Sequence, residues 1–482
     1  MEGKKIASSL AYKSAEQLIN KGLGLVISII LARILSPDHF GQLAILTVFI
    51  NLSQTIVQSG LNSAVVQTKQ LHKSDYSTTF YLSFAIAVVM VVALYFTAPL
   101  ISSIYDSPEL ITPLRVYSLT LLFGAFNSVQ LAKLQREMKF KVTMVTRTIA
   151  TILSGGIGVY CAFAGFGLWA LVIYNLSSSI FNCLTMLFVC KWLPKLEFSV
   201  ERAKVLWSYG WKMLVSSLLC SLYNDIRSLI IGKKYSTEDL GYYNRGEQFP
   251  FVLANTLDTA VQSVMFPTLA SIQDDKQRVK AVLSKSVTLG ALITMPILIG
   301  LMVVAKPFIV LLLTEKWLPA VPFMQFICIG YASYSISSAN LTAIKSIGRS
   351  DVYMKLEGVR RVVMLAILLV SVFCFNSVEA IVIGFAISMW IDVAIITFPV
   401  NKLIGYSALD LIKGLYKIFI AVAIMAVAVF LVGLISLPNV VTLLLQVVVG
   451  VAVYVFACIA LKEQSFYELL TFIKSKGKKK DA

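Results

Sequence analysis

Apolar residues fall along this chain in blocks of about twenty, separated by short polar or Pro/Gly-containing breaks. A helix rises about 1.5 Å per residue, so a block of roughly 20 residues crosses the hydrocarbon core of a bilayer. The pattern predicts fourteen helices, over residues 14–35, 41–66, 78–104, 113–133, 142–163, 168–190, 207–232, 243–268, 286–313, 320–343, 355–375, 378–400, 414–436 and 439–461. The fold class expected is an all-α polytopic membrane protein.

Composition strengthens that expectation. Of 482 residues 58% are hydrophobic and 14% charged, with a mean hydropathy of +0.81. Soluble domains carry about 25% charged residues. The seven cysteines lie within apolar blocks with no CxxC pair, and only two histidines are present, His39 and His72. That usage points to small core residues and gives no metal or catalytic constellation. The basic start MEGKK leads into a block too long for a cleavable signal.

The net charge of +17 would suggest a nucleic-acid partner in a soluble protein. Its distribution points elsewhere. With both termini cytoplasmic, alternate segments on the inner side hold 29 of the 42 Lys and Arg, counting Lys133, Lys355 and Lys417 at the inner ends of their spans. This is the positive-inside pattern, and the surplus also attracts anionic lipid headgroups. The expected partners are therefore membrane lipids and not nucleic acid, and the tail KSKGKKK is expected to be a solvated basic end.

The chain repeats itself. Arg33, Ser36, Asp38, Phe40 and Gly41 align with Lys233, Ser236, Glu238, Leu240 and Gly241 at an offset of 200. Pro99 and Leu110 align with Pro307 and Leu318 at 208, and Arg136 and Arg147 with Arg349 and Arg360 at 213. Six helices per half make the repeats parallel. The domains expected are a six-helix bundle over 1–190, an amphipathic cytoplasmic linker over 191–206, a second six-helix bundle over 207–402, two further helices over 403–461, and a basic cytoplasmic tail over 462–482.

No phosphate-loop motif occurs, and two histidines cannot assemble a nucleophilic triad, so the chain is expected not to be an enzyme and to need no cofactor. Candidate chemistry rests on charges inside the spans, which are costly in lipid and normally face a cavity or a partner. The cations are Lys21, Arg147, Lys212, Arg227, Arg360 and Arg361; the acids are Glu16, Asp225, Asp258, Glu357 and Asp392. A ring of cations near the cytoplasmic helix ends suits an anionic headgroup, because Lys and Arg donors bind phosphate oxygens well where water is scarce. Glu16, Asn20, Gly24 and Ser28 form one polar stripe, and Arg147, Thr151, Ser154 and Gly158 another. The plainer alternative is that long cationic stems reach back to the interface and that Glu357 and Arg361, four residues apart, pair with each other.

Several stretches carry a family resemblance: LARILSPDHFGQLA (31–44), QREMKF (135–140), LGYYNRGEQFP (240–250), FPTLASIQDD (266–275) and GLMVVAKPFIVLLLTEKWLPAVP (300–322). Together they resemble the Wzx-type polysaccharide transporters, especially the colanic-acid-exporter branch of lipopolysaccharide flippases, within the multidrug/oligosaccharidyl-lipid/polysaccharide exporter superfamily. The resemblance implies two six-helix bundles around a central cavity, with two appended helices. It implies that undecaprenyl-diphosphate-linked oligosaccharide, a repeat unit of O-antigen, capsule or exopolysaccharide, is flipped across the bacterial inner membrane by alternating access. A monomer is implied, with a polymerase on the periplasmic side as a candidate partner. The family's cationic cavity maps here onto Lys21, Arg147, Lys212, Arg227 and Arg360.

The main rival is a multidrug or organic-cation antiporter, which needs acids such as Asp225, Asp258 and Asp392 to dominate the cavity. A polymerising enzyme would need a large outer loop, and the outer loops here are short.

Overall fold

The computed structural model describes residues 2–67, 73–435, 437–469 and 471, and no strand occurs among them. The basic run at 474–480 lies outside the described residues. Packing separates the chain into two compact units, Met1–Gly241 and Tyr242–Ala482.

The first unit holds α1 (Glu2–Ile34), α2 (Pro37–Gln67), α3 (Lys73–Ile104), α4 (Ile111–Ser118), α5 (Thr120–Arg136), α6 (Phe140–Phe163), α7 (Leu168–Cys190), α8 (Val200–Lys234) and the first residues of α9 (Thr237–Ser271). The second holds the rest of α9, then α10 (Lys276–Val303), α11 (Ala305–Leu313), α12 (Ala320–Tyr331), α13 (Tyr334–Ser346), α14 (Ser350–Cys374), α15 (Val378–Ile404), α16 (Ala408–Gly433) and α17 (Asn439–Ala460).

Three pairs of helices run on as single passages, because the residues joining them stay close to helical dihedrals. Leu119 joins α4 to α5 at φ −61°, ψ −21°; Val304 joins α10 to α11 at φ −86°, ψ 8°; Ala332 and Ser333 join α12 to α13. The seventeen α-helices of the described residues thus give fourteen helical passages, in line with the sequence pattern. Eleven are long and apolar enough to cross a membrane on length and composition. The other three fall short for visible reasons: α12–α13 is broken into two short helices, α14 carries Lys355, Glu357, Arg360 and Arg361, and α9 carries five charges.

The internal repeat is visible in the helix ends. Helices α1 and α8 stop at Ile34 and Lys234, and α2 and α9 start at Pro37 and Thr237, the offset of 200 read from sequence. Further along the register is corrected. Lys139 (φ −86°, ψ 53°) and Arg349 (φ −89°, ψ 59°) precede α6 and α14, each after a left-handed residue, Met138 (φ 54°) or Gly348 (φ 76°). That offset is 210, not 213, so in the repeat alignment Arg147 corresponds to Glu357 and Arg360 to Ala150. Three residues are nearly one helical turn, so the wrong register still matched the right face.

Two features position the cavity described below. Helix α8, which the repeat assigns to the second half, packs against α2 within the first unit. It also starts at Val200, so the second part of the expected linker is helical, with the Ser199 side chain capping the Arg202 N–H at 3.3 Å. The non-helical part is pinned to the start of α3. The Lys195 and Ser199 N–H groups donate to Ser77 Oγ and Thr78 Oγ1 at 3.1 and 3.2 Å. Arg202 grips the fully buried Asp75 with two bonds of 2.6 Å. This hydrogen-bonded carboxylate holds the Arg202 guanidinium above its ordinary pKa. Trp192 closes the arrangement against Tyr76 and Phe80, with ring centroids 6.4 Å apart in each case.

In the second unit α16 and α17 pack on one another and α16 packs on α10. Tyr454 of α17 donates to the Leu292 carbonyl at 2.8 Å, and Gln446 to the Val429 carbonyl at 3.1 Å. Ser407 and Asp410 form a capping box at the start of α16.

Candidate substrate-binding cavity

Helix α2 carries Asn51, Gln54, Thr55 and Gln58, spaced i, i+3, i+4 and i+7, which places them on one face. That face walls two cavities inside the first unit. One, of about 380 Å³, lies toward α5, α6 and α7; the other, of about 550 Å³, lies toward α5 and α8. Both are in the size range of small-molecule sites, about 300–1,000 Å³.

The opposite wall of the smaller cavity repeats the device. Helix α7 presents Asn175, Ser178, Ser179 and Asn182 with the same spacing, and α5 adds Asn127 and Ser128. The Asn127 side chain donates to the Ser179 carbonyl at 3.4 Å, and Gln58 to the Gly124 carbonyl at 3.4 Å. The larger cavity is completed by Gln135 of α5 and by Ser217, Ser221, Asn224 and Asp225 of α8. Thr55 and Ser221 share a hydrogen bond of 3.3 Å between α2 and α8.

Arg147 is the one cation among the described residues lining these two cavities. Its Nη1 donates to Glu16 Oε1 at 3.0 Å, joining α6 to α1. Glu16 is buried while the Arg147 side chain is 44% exposed, so the acid is sequestered and the guanidinium keeps a face toward the cavity. Asn20 sits beside them, donating to the Glu16 carbonyl at 3.0 Å and accepting from Thr148 at 3.5 Å. The two stripes expected on α1 and α6 therefore meet, through Asn20, Arg147 and Thr151 on the cavity wall.

The other expected residues are dispersed. Lys21 is exposed on α1, Arg227 is half-buried on α8, and neither lines these cavities. The side chain of Lys212 lies outside the described residues. Asp225 does line the larger cavity.

In the second unit the charges close on themselves. Arg360 of α14 grips Asp392 of α15 through Nε and through Nη2, the latter at 2.8 Å, and gives Nη1 to Glu357. Arg361 reaches the other Glu357 oxygen at 3.4 Å, the i,i+4 pair expected from sequence. Asp392 is 1% exposed, and burial of this kind is tolerable only because its partner saturates it. Asp258 of α9 is held by neutral donors, Ser338 at 2.8 Å and Gln262 at 3.2 Å.

Sequence reasoning followed the charges and missed the amides. The signal was present in the spacing of 51, 54, 55 and 58 and of 175, 178, 179 and 182, but neutral Asn and Gln are passed over by a search that follows formal charge.

These features define a multi-pass helical membrane protein with polar cavities in its first unit. The chain is similar in fold to the lipid II flippase MurJ in its inward closed conformation, with a TM-score of 0.78 at 16% identity, covering 94% of this chain and 99% of that one. Residues 30–322 match the polysaccharide biosynthesis protein family, and the chain belongs to that family. Among its relatives are the succinoglycan biosynthesis transport protein ExoT of Rhizobium meliloti (strain 1021), 26% identical over 69% of this chain and 67% of the relative, and the lipopolysaccharide biosynthesis protein WzxC of Escherichia coli (strain K12), 25% identical over 73% and 72%.

Proposed function

We propose that this protein is a flippase that carries polyprenyl-diphosphate-linked oligosaccharide from the inner to the outer leaflet of the bacterial plasma membrane, for assembly of a surface polysaccharide. Both termini face the cytoplasm in this reading. The observation that carries it is the wall of amides and hydroxyls shared by α2, α5 and α7. Each such group can hydrogen-bond a sugar hydroxyl, which is itself both donor and acceptor. A membrane protein has no packing reason to line a cavity this way, because buried polar groups without partners are costly.

Arg147 supplies the docking point for the diphosphate. Its paired Nη1 is held by Glu16, and the exposed remainder of the guanidinium suits phosphate oxygens. The sugars occupy the amide-lined space, and the prenyl chain stays in lipid. Membership of the polysaccharide biosynthesis protein family, with one relative named as a succinoglycan biosynthesis transport protein, supports the same reading.

Organic-cation antiport would need carboxylates open to the cargo. Asp392 is clasped by Arg360 and Asp258 is engaged by Ser338 and Gln262; of the three acids only Asp225 lines a cavity, and one carboxylate does not dominate a wall of amides and hydroxyls. The test is mass spectrometry of lipid-linked oligosaccharides from cells with and without the gene. Accumulation of one intact, unpolymerised repeat unit in the deletion strain is expected. Unchanged lipids with reduced dye efflux would transfer the assignment to antiport.

A further inference from the structure

Arg115 of α4 takes no part in either cavity. It lies seven residues past Pro108, where its span begins, which puts its Cα about 10 Å inside the membrane. An arginine near a helix end ordinarily extends its stem back to the interface. Arg115 reaches the other way. Its Nε donates to the Tyr95 carbonyl at 3.2 Å, and its guanidinium carbon stands 4.1 Å from the centre of the Tyr95 ring. Tyr95 is nine residues before the end of α3 at Ile104, about 13 Å deep on the same scale.

These two contacts to one residue fix the guanidinium: the ring lies against its face and the carbonyl holds one edge. The two Nη groups carry four of its five N–H donors, and neither meets an acceptor among the described residues. The surroundings are apolar. Val88, Val89, Val92 and Phe96 are exposed on the same face of α3 as Tyr95. A cation beside such a lipid-covered surface is costly unless an anion answers it. The anion that a bilayer supplies is the headgroup phosphate, whose oxygens match the arginine fork.

We infer that Arg115, held on Tyr95, binds the phosphate of a lipid in the outer leaflet, with the lipid's chain lying along Val92 and Val89 toward the bilayer centre. The ligand chemistry is a phosphate ester on a long apolar chain, carried by an anionic phospholipid or by a polyprenyl diphosphate. The leaflet follows from the cytoplasmic termini of the reading above; the site itself stands apart from the cavities and from the flippase reading.

The test uses full-length protein carrying Phe96→p-benzoylphenylalanine, a photo-crosslinking residue, in vesicles of digalactosyldiacylglycerol, which has no phosphate. Phosphatidylglycerol and a polyprenyl diphosphate are added singly and then together at equal mole fraction, and captured lipid is read by mass spectrometry. Each phosphate lipid added alone is expected to be captured about tenfold or more above its mole fraction, the scale of a charge-assisted hydrogen bond. Arg115→Gln should bring capture down to the mole fraction, and Arg115→Lys should fall between, because it keeps the charge without the fork. Total capture of the host glycolipid should stay level, which shows that each variant is folded.

In the mixture, an excess of phosphatidylglycerol identifies a phospholipid site and an excess of polyprenyl diphosphate an outer-leaflet site for the cargo lipid; both uphold the inference. Capture of both probes at their mole fractions, or undiminished enrichment in Arg115→Gln, overturns the site. Neither result touches the flippase reading, since no cavity residue is altered.

Discussion

Gly41 and Gly241, equivalent residues of the two sequence repeats, face each other where the first turns of α2 and α9 cross. A Cβ on Gly41 would run into the Thr237 carbonyl and lie 3.1 Å from the Gly241 nitrogen; a Cβ on Gly241 would run into the Pro37 carbonyl and lie 3.3 Å from the Gly41 nitrogen. Thr237 also donates its hydroxyl to Asp38 across the same crossing. The backbones touch because neither glycine has a side chain.

Gly41→Ala is therefore expected to destabilise the protein by about 1–3 kcal/mol, since the clash is with backbone that cannot rotate away. Gly24→Ala is the control: nothing lies within 4 Å of its Cβ, and alanine in a helix is favoured over glycine by up to about 1 kcal/mol. Thermal unfolding in detergent should move down for the first and stay level or rise for the second. A neutral Gly41→Ala would show that the crossing is looser than described.

The triad of α14 and α15 gives a second prediction. Asp392→Ala leaves the Arg360 guanidinium, whose side chain is 12% exposed, with only Glu357, and should cost about 3–5 kcal/mol. Replacing the pair together, Arg360→Met with Asp392→Leu, should restore most of that loss, because Glu357 keeps Arg361 as its partner. Protein level and unfolding temperature of the single and double variants measure it; a double variant as unstable as the single would mean that the pair contributes net stability.

How far the sequence led depends on the residue. Helix number, the repeat at 33–41 and 233–241, the pairing of Glu357 with Arg361 and the separate polar stripes of α1 and α6 were all legible, because hydrophobic blocks and helical spacing are local properties; that the two stripes meet was not. Three further things were not. The register of Arg147 slipped by three residues, since one turn of helix preserves the face. Arg360 looked like a free cavity cation until Asp392, 32 residues on, was seen against it. The amide ladders of α2 and α7 only become a cavity when the two helices are seen on opposite walls, which spacing within one helix cannot tell.

The strap at the start of α8 is a third test. Asp75→Asn removes the charge that Arg202 grips, and should cost about 1.5–3 kcal/mol, the usual worth of hydrogen bonds to a charged group. Arg202→Lys should recover little, because an ammonium cannot make the two parallel bonds of the fork. Limited proteolysis between Lys191 and Ser199 should accelerate in both variants; unchanged cleavage would contradict the anchoring role.

Arg147 carries the fourth. Arg147→Ala should weaken binding of a polyprenyl diphosphate about tenfold or more, while Arg147→Lys falls between. Glu16→Gln should tighten that binding, because the guanidinium loses its internal counter-charge and keeps a neutral acceptor. Tighter binding in Arg147→Ala would remove the diphosphate from this site.

Transport itself is measured most directly in proteoliposomes containing the full-length chain and a polyprenyl-diphosphate oligosaccharide with a fluorescent terminal sugar. The predicted result is protein-dependent movement of the labelled sugar to the opposite leaflet, read by accessibility to a membrane-impermeant reagent and abolished by Arg147→Ala. Accessibility that stays the same with and without protein, in vesicles that do pass an organic cation dye, would contradict the account.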